Sequence, residues 1–255
     1  MISKLKNTLT VTALLLLTSA VCTAAAQPLS EQKTSFGTGF AISETHILTA
    51  EHITSGKDVF WLGPVDGKWV KATLVKSSAE LDLALLSADI HAKPLIIANW
   101  EDVPIGLEAF VIGYPQPTMQ GLSKKITQGI VNGLRSDKEN TAASRLFQLS
   151  AEVNKGNSGG PVVSADGSVI GMVVKKVDAL SFAEKSRDLT VNVNYALKSQ
   201  YLIDFLNNTP AQTTAKPLSL KTVLRPYQIF AQSEASVFAV IGRSANVANT
   251  NNSKP

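Results

Sequence analysis

Between Phe36 and Ala196 the chain is cut into short apolar runs by turn-forming residues, and this rhythm restricts the fold more than any other feature. FGTGFAIS (36–43), HILTA (46–50), KDVFWL (57–62), KWVKATLV (68–75), LALLSA (83–88), EAFVIGY (108–114), KKITQGIV (124–131), RLFQLS (145–150), PVVSA (161–165), VIGMVV (169–174) and LTVNVNYA (189–196) have strand length and strand composition. A helix needs a longer run with apolar residues every third or fourth position, and these runs stop too soon. Asp66-Gly67, Asp166-Gly167 and the YPQP stretch at 114–117 suit tight reversals. Many short strands joined by such turns predict an all-β antiparallel barrel or sandwich.

One late stretch departs from that rhythm. In YALKSQYLIDFLNN (195–208), Leu197, Tyr201, Leu202 and Phe205 recur near helical spacing, which predicts a helix over about 196–207 on the rim of the sheet structure. NNTPAQTTAKP (207–217) reads as a linker by composition. Residues 218–242 hold enough Leu, Val and Phe for a small appended element, and SANVANTNNSKP (244–255) has the makeup of a disordered tail.

The start of the chain follows a different logic. Lys4 and Lys6 precede the short apolar run LTVTALLLLTSAV (9–21), and small residues at Ala24 and Ala26 follow it, so residues 1–26 read as a secretory signal peptide. The run is too short to span a bilayer comfortably, and no later run is longer, so no stable membrane span is expected after cleavage. Cleavage also removes Cys22, the single cysteine, leaving an exported chain that relies on core packing without a disulfide. The net charge is +4, and without Lys4 and Lys6 it falls to +2, which gives no reason to expect nucleic acid or a membrane surface as a partner. Three histidines, no cysteine beyond the leader and no HExxH pattern leave no zinc set. No phosphate-binding glycine loop occurs either, and no cofactor is expected.

The stretch GNSGGPVV (156–163) concentrates glycine around Ser158. Ordering so much glycine is costly, so the backbone there must approach something closely. Alone, the motif fits an anion-binding turn as well as a nucleophile. A serine hydroxyl becomes a good nucleophile when an imidazole accepts its proton and a carboxylate orients that imidazole. Of His46, His52 and His91, His52 lies where the strand HILT runs into a turn, although a structural role fits it equally well in isolation. Asp82 sits among Leu81, Leu83, Leu85 and Leu86 at the entry to a core-like strand; it either has a partner there or stays in water as a strand-start residue.

Taken in order, FGTGFAI (36–42), HILTAEHI (46–53), LDLALL (81–86), VIGYP (111–115), TQGIV (127–131), GNSGGPVV, DGSVIGMVV (166–174) and VNYALK (193–198) resemble the chymotrypsin-fold serine peptidases, and within them the bacterial HtrA (Deg) group. The resemblance implies two six-stranded antiparallel barrels followed by a helix. Barrel one would occupy about 34–118, barrel two about 121–196 and the helix about 196–207, within a peptidase domain of 27–208. Residues 209–255 would form a linker and a partly disordered extension too short for the PDZ domain that usually follows an HtrA peptidase. By the same resemblance His52 is the general base, Asp82 its orienting carboxylate and Ser158 the nucleophile, with the backbone N–H groups of Gly156 and Ser158 as the oxyanion hole. Glu152, Val193 and Asn194 are the substrate-pocket candidates, and an extended peptide or protein segment is the expected partner, paired near VNVN (191–194).

Two departures matter. Ile53 replaces the cysteine that pancreatic-type members carry after the histidine. Asn157 replaces the aspartate that pairs with their freed amino terminus, so signal removal need not be an activating event. Glutamyl endopeptidases, neighbours of this pattern, read acidic side chains with a histidine from the second barrel, and none follows His91 here. The competing functional class is a peptidase-fold binding protein that holds a peptide with little or no turnover.

Overall fold

The computed structural model describes residues 34–134, 144–174, 194–221 and 223–245. The signal-peptide segment, Cys22, Val193, most of VNVN and the tail from Asn246 lie outside the described residues.

Among the described residues, twelve strands form two closed six-stranded antiparallel barrels. Barrel one joins β1 (Thr34–Ala41), β2 (His46–Thr49), β3 (Val59–Val65), β4 (Lys68–Ser78), β5 (Leu83–Ala88) and β12 (Val237–Arg243) in the spatial order β1-β12-β3-β4-β5-β2. Barrel two joins β6 (Glu108–Gly113), β7 (Lys125–Leu134), β8 (Leu146–Leu149), β9 (Pro161–Ser164), β10 (Val169–Val173) and β11 (Asn194–Lys198) in the order β10-β11-β8-β7-β6-β9. At the Asp66-Gly67 reversal between β3 and β4 both residues have positive φ, 48° and 75°, as a type I′ hairpin demands.

Barrel membership differs from the sequence expectation in two places. Residues up to about 118 were expected in barrel one, but β6 pairs with β7 and β9 and belongs to barrel two. The sixth place in barrel one goes to β12, expected only as part of a small appended element. It pairs with β1 from Phe40↔Val237 to Thr34↔Arg243 and with β3 from Gly63↔Ala239 to Val59↔Arg243. The reason is edge satisfaction: without β12, β1 and β3 would each present a row of unpaired N–H and C=O groups. The Leu, Val and Phe content of 218–242 predicts only a small appended element and says nothing of a strand there or of which sheet would take it.

The linker composition at 207–217 also turns out to be docked. Lys216 exchanges backbone hydrogen bonds with Ile97 and Asn99, and the Leu218 N–H donates to Asp102 Oδ2 at 3.1 Å. The late helix spans Ser199–Leu206, so Leu197 is a strand residue, paired with both Leu146 and Met172. Leu202, Phe205 and Leu206 are its buried face.

Two apolar clusters form the core of the described residues. One runs through barrel one and the barrel junction with Phe40, Leu48, Leu62, Leu85, Ile112 and Val240. The other fills barrel two around Val111, Leu149, Val162 and Ile170, with Trp100 and Phe147 rings 5.0 Å apart.

Candidate active site

Strand β2 ends at Thr49, Ala50 is extended, and the chain then makes one helical turn, Glu51–Thr54. Ile53 is fully buried against β1 and β12, where Gly37 and Gly242 leave it room: a Cβ on Gly37 would lie 1.8 Å from Ile53 Cδ1. With Ile53 turned inward, its neighbour His52 is turned outward, its side chain 34% exposed. Asp82 closes the turn between β4 and β5 with φ of 53°, a left-handed conformation that Asp tolerates better than most residues. From there its Oδ1 accepts the His52 backbone N–H at 2.9 Å, and both carboxylate oxygens lie 2.9 Å from His52 Nδ1. A carboxylate only accepts, so Nδ1 carries the proton and Nε2 is left with the lone pair.

Ser158 sits in the loop before β9, half-buried. Gln116 donates its N–H to Lys155 O at 2.6 Å, and Gly160 donates to Asn157 O at 2.8 Å. In a trans peptide the C=O and the following N–H point in opposite directions, so these bonds turn the N–H groups of Gly156 and Ser158 away from their own loop partners. Among the described residues neither N–H has a backbone acceptor. Gly156 has φ of 101°, and a Cβ there would lie 2.2 Å from Tyr114 O, so no other residue fits. Among the described residues the loop thus holds two backbone N–H groups beside the serine without backbone acceptors, donors of the kind that tight glycine-rich turns offer to an anion.

The two halves of the site meet through the backbone. Thr38 in β1 donates its N–H to Ser158 O at 2.9 Å, and Gly159, with φ of 82°, lies against Thr38, Thr49 and Ala50, where a Cβ would be 2.2 Å from Thr38 O. Among the described residues no hydrogen bond joins Ser158 Oγ to the His52 ring.

Glu152 follows Ala151 in the loop after β8, and Asn194 reaches the Ala151 carbonyl from β11. The Glu152 carboxylate is exposed and accepts Asn154 Nδ2 at 2.7 Å, and its carbonyl accepts the Thr127 hydroxyl. Asn194 is buried, donates Nδ2 to Ala151 O at 2.8 Å, and leaves its Oδ1 buried without a partner among the described residues. The other histidines stand apart. His46 Nδ1 contacts the Ser43 and Thr45 hydroxyls, and burial lowers its pKa; His91 is exposed on a loop. Sequence reasoning missed Thr38 and Gln116. Thr38 lay in plain view as a lone hydroxyl between the glycines of FGTGF, whereas Gln116 acts through its backbone, for which no side-chain signal exists.

Residues 37–172 match the family model described as trypsin-like peptidase domain, and the chain belongs to that family. Among its relatives is a probable periplasmic serine endoprotease, DegP-like, of Halomonas elongata, 35% identical over 149 residues that cover 58% of this chain and 31% of the relative. Another is the serine protease Do-like HtrA of Bacillus subtilis, 32% identical over 63% of this chain and 39% of that protein. The chain therefore spans about a third of the length of these curated relatives. Of solved structures, the HtrA-type protease AlgW with decapeptide has a TM-score of 0.53 at 26% identity, covering 65% of this chain and 48% of that one. The serine endoprotease from Yersinia pestis has the same TM-score and identity, covering 67% and 56%. The two barrels and the late helix are the chymotrypsin-like arrangement of these proteins.

Proposed function

We propose that this chain is an exported serine endopeptidase that cuts peptide bonds through an acyl-enzyme on Ser158. Ser158 Oγ attacks the substrate carbonyl carbon while its proton passes to His52 Nε2. The oxygen that becomes negative lies between the N–H groups of Gly156 and Ser158. As the C–N bond breaks, the leaving amine takes the proton from His52, and the acyl group stays on Ser158 as an ester. Water then repeats the sequence, giving its proton to His52 and releasing the acid. Asp82 holds the ring in the orientation and tautomer this needs and stabilises the imidazolium that forms. The observation that carries the reading is the Asp82 carboxylate bound at once to the His52 backbone and Nδ1, which leaves Nε2 as the basic nitrogen.

Export rests on the pattern of residues 1–26 and on the periplasmic description of the Halomonas relative. No helix among the described residues is long and apolar enough to cross a membrane. The substrate is an extended peptide or protein segment, with Glu152, Val193 and Asn194 at its pocket. A Glu152 at the pocket base would favour a basic side chain before the cut, but its carboxylate here is exposed beside Asn154, so the preference requires it to turn inward when substrate binds. Cleavage of a mixed peptide library checks this: product ends in Lys or Arg support it, and ends without them remove it.

The second reading, a peptidase-fold binding protein, is favoured by the lack, among the described residues, of a hydrogen bond between Ser158 Oγ and the His52 ring. A fluorophosphonate probe separates the two, because it reacts with an activated serine. Labelling that is lost in Ser158→Ala and strongly reduced in His52→Ala is the expected result. Folded protein that takes no label, and does not cut a casein or peptide-library substrate, favours the binder.

A further inference from the structure

Glycine at 156 solves one problem and creates another. It alone fits against Tyr114 O, yet without a Cβ the Gly156–Asn157 peptide, which lies between the two donor-bearing peptides held by Gln116 and Gly160, has a wide range of orientations open to it. Something must select one orientation. Thr38, fully buried, reaches this loop from the opposite barrel with every polar atom engaged. Its hydroxyl donates to Gly156 O at 2.6 Å and accepts the Tyr114 N–H at 3.1 Å. Its N–H holds Ser158 O at 2.9 Å, and its own carbonyl accepts the Thr49 hydroxyl at 2.7 Å, three residues before His52.

We infer that Thr38 is the positioning residue of the oxyanion loop: it pins the carbonyls of Gly156 and Ser158, and sets barrel two's nucleophile in register with the strand that delivers barrel one's base. The Gly156–Asn157 peptide lies between the two donors, so fixing its carbonyl fixes the backbone angles from which both are hung. Valine has nearly the shape of threonine but cannot make either hydroxyl bond. It leaves the Gly156 carbonyl and the Tyr114 N–H to find other partners, and the loop to choose another orientation. This inference rests on the peptidase reading, and it deepens that reading by naming what holds the donors in place.

The test compares Thr38→Val and Thr38→Ser with the wild-type chain on a fluorogenic peptide, and adds binding of a peptide aldehyde, which forms a tetrahedral adduct on the serine. Loss of one oxyanion donor lowers kcat about 10²-fold or more in related chemistry. Thr38→Val is expected to lower kcat on that scale, to weaken the aldehyde comparably, and to leave KM within about threefold. Thr38→Ser, which keeps the hydroxyl, is expected to recover most of the kcat. A Thr38→Val enzyme with near-normal kcat, or a Thr38→Ser enzyme as impaired as Thr38→Val, overturns the inference. If Thr38→Val does not fold, Thr38→Cys, with its weaker donor, reads the same split between kcat and KM. If the wild-type chain neither cuts peptides nor takes the fluorophosphonate, the peptidase reading fails by itself. Amide exchange of residues 155–159 then decides: faster exchange in Thr38→Val but not Thr38→Ser keeps the positioning role, and unchanged exchange removes it.

Discussion

Barrel two is assembled from strands that lie between Glu108 and Lys198, whereas barrel one takes five strands from residues 34–88 and its sixth from Val237–Arg243. The residues proposed for chemistry divide along the same line. Ser158 and its two donor N–H groups stand in the barrel that closes with nearby strands, and His52 with Asp82 in the barrel that closes with the far end of the chain. Strand β12 does more than complete a sheet. Asp58 N donates to Arg243 O at 3.0 Å, the Ser244 hydroxyl to Gly56 O at 3.2 Å, and Ala245 N to Asp58 Oδ2 at 2.9 Å. These bonds clamp the segment just after His52, so the imidazole depends on a strand that the chain supplies last. Closing so long a loop costs entropy before any pairing repays it, and barrel two should therefore gain protection first on refolding.

The largest expected effect comes from ending the chain after Leu224, which removes β12. Val237, Phe238 and Val240 are buried there, each worth about 1.5–3 kcal/mol. Their sum is comparable with the whole stability of an ordinary domain, about 5–15 kcal/mol. The truncated chain should lose its cooperative melt by circular dichroism, with amide protection at 34–88 falling more than at 108–173. A truncated chain that melts as sharply as the full one would mean that barrel one does not need its distant strand.

Next in size are two substitutions that separate chemistry from stability, one in each barrel. Under the proposed mechanism, Asp82→Asn keeps the shape but lets the imidazole take the wrong tautomer, a change that costs a Ser-His-Asp triad about 10⁴-fold in kcat. The melting temperature should move little beside that loss. In barrel two, Gly156→Ala drives a Cβ into Tyr114 O, 2.2 Å away, and displaces one donor; its expected cost is about 10²- to 10³-fold in kcat. Steady-state kinetics and thermal melts on both variants check the ranking. Equal losses would argue that the two halves are held with the same tolerance.

The smallest effect concerns the bond between the chain's last segment and barrel two. Lys124 Nζ donates to Glu234 O, just before β12, and lies 5.8 Å from the Tyr114 ring centroid. Burial pushes the Lys124 amine down to about 8, with the Glu234 charge pulling the other way. In the unfolded chain the amine keeps its proton up to its ordinary value near 10.5. Between pH 8 and 10 unfolding therefore takes up a proton, and stability should rise with pH across that window. Burial holds the Tyr114 phenol up to about 12, so Tyr114 works in the opposite direction, above about pH 10, where the unfolded phenol ionises first. Denaturant titrations at pH 7.5 and 9.5 should show the rise in the wild-type chain and a flatter profile in Lys124→Met.

The all-β class was legible because a strand's pattern is local: β-branched runs of limited length between turn residues state their period without reference to partners. Asp82 stood out as a charge inside an apolar run, and Ser158 as a side chain among glycines, because each violates the local rule for its surroundings. From sequence, His52 was separable from His46 and His91 only by the turn that follows HILT and by family resemblance; the carboxylate that meets its ring is 30 residues away. The late helix begins later than its periodicity predicts because Leu197 satisfies a helical period and a strand pairing equally, and β10 and β8 on either side of it hold it in a strand.

What the chain determined by itself, then, was most of the strands between residues 34 and 174, their turns and the chemically exposed residues, all of which follow from periodicity and from the conformational cost of glycine and charge. Only the tertiary structure decided that β12 seals barrel one, that β6 belongs to barrel two, and that Thr38 bonds to Gly156 and Ser158. Those outcomes depend on which unpaired backbone edges and carbonyls come face to face once the sheets curl. That information exists in no single segment, because a hydrogen bond between residues 118 positions apart is a property of the closed shape.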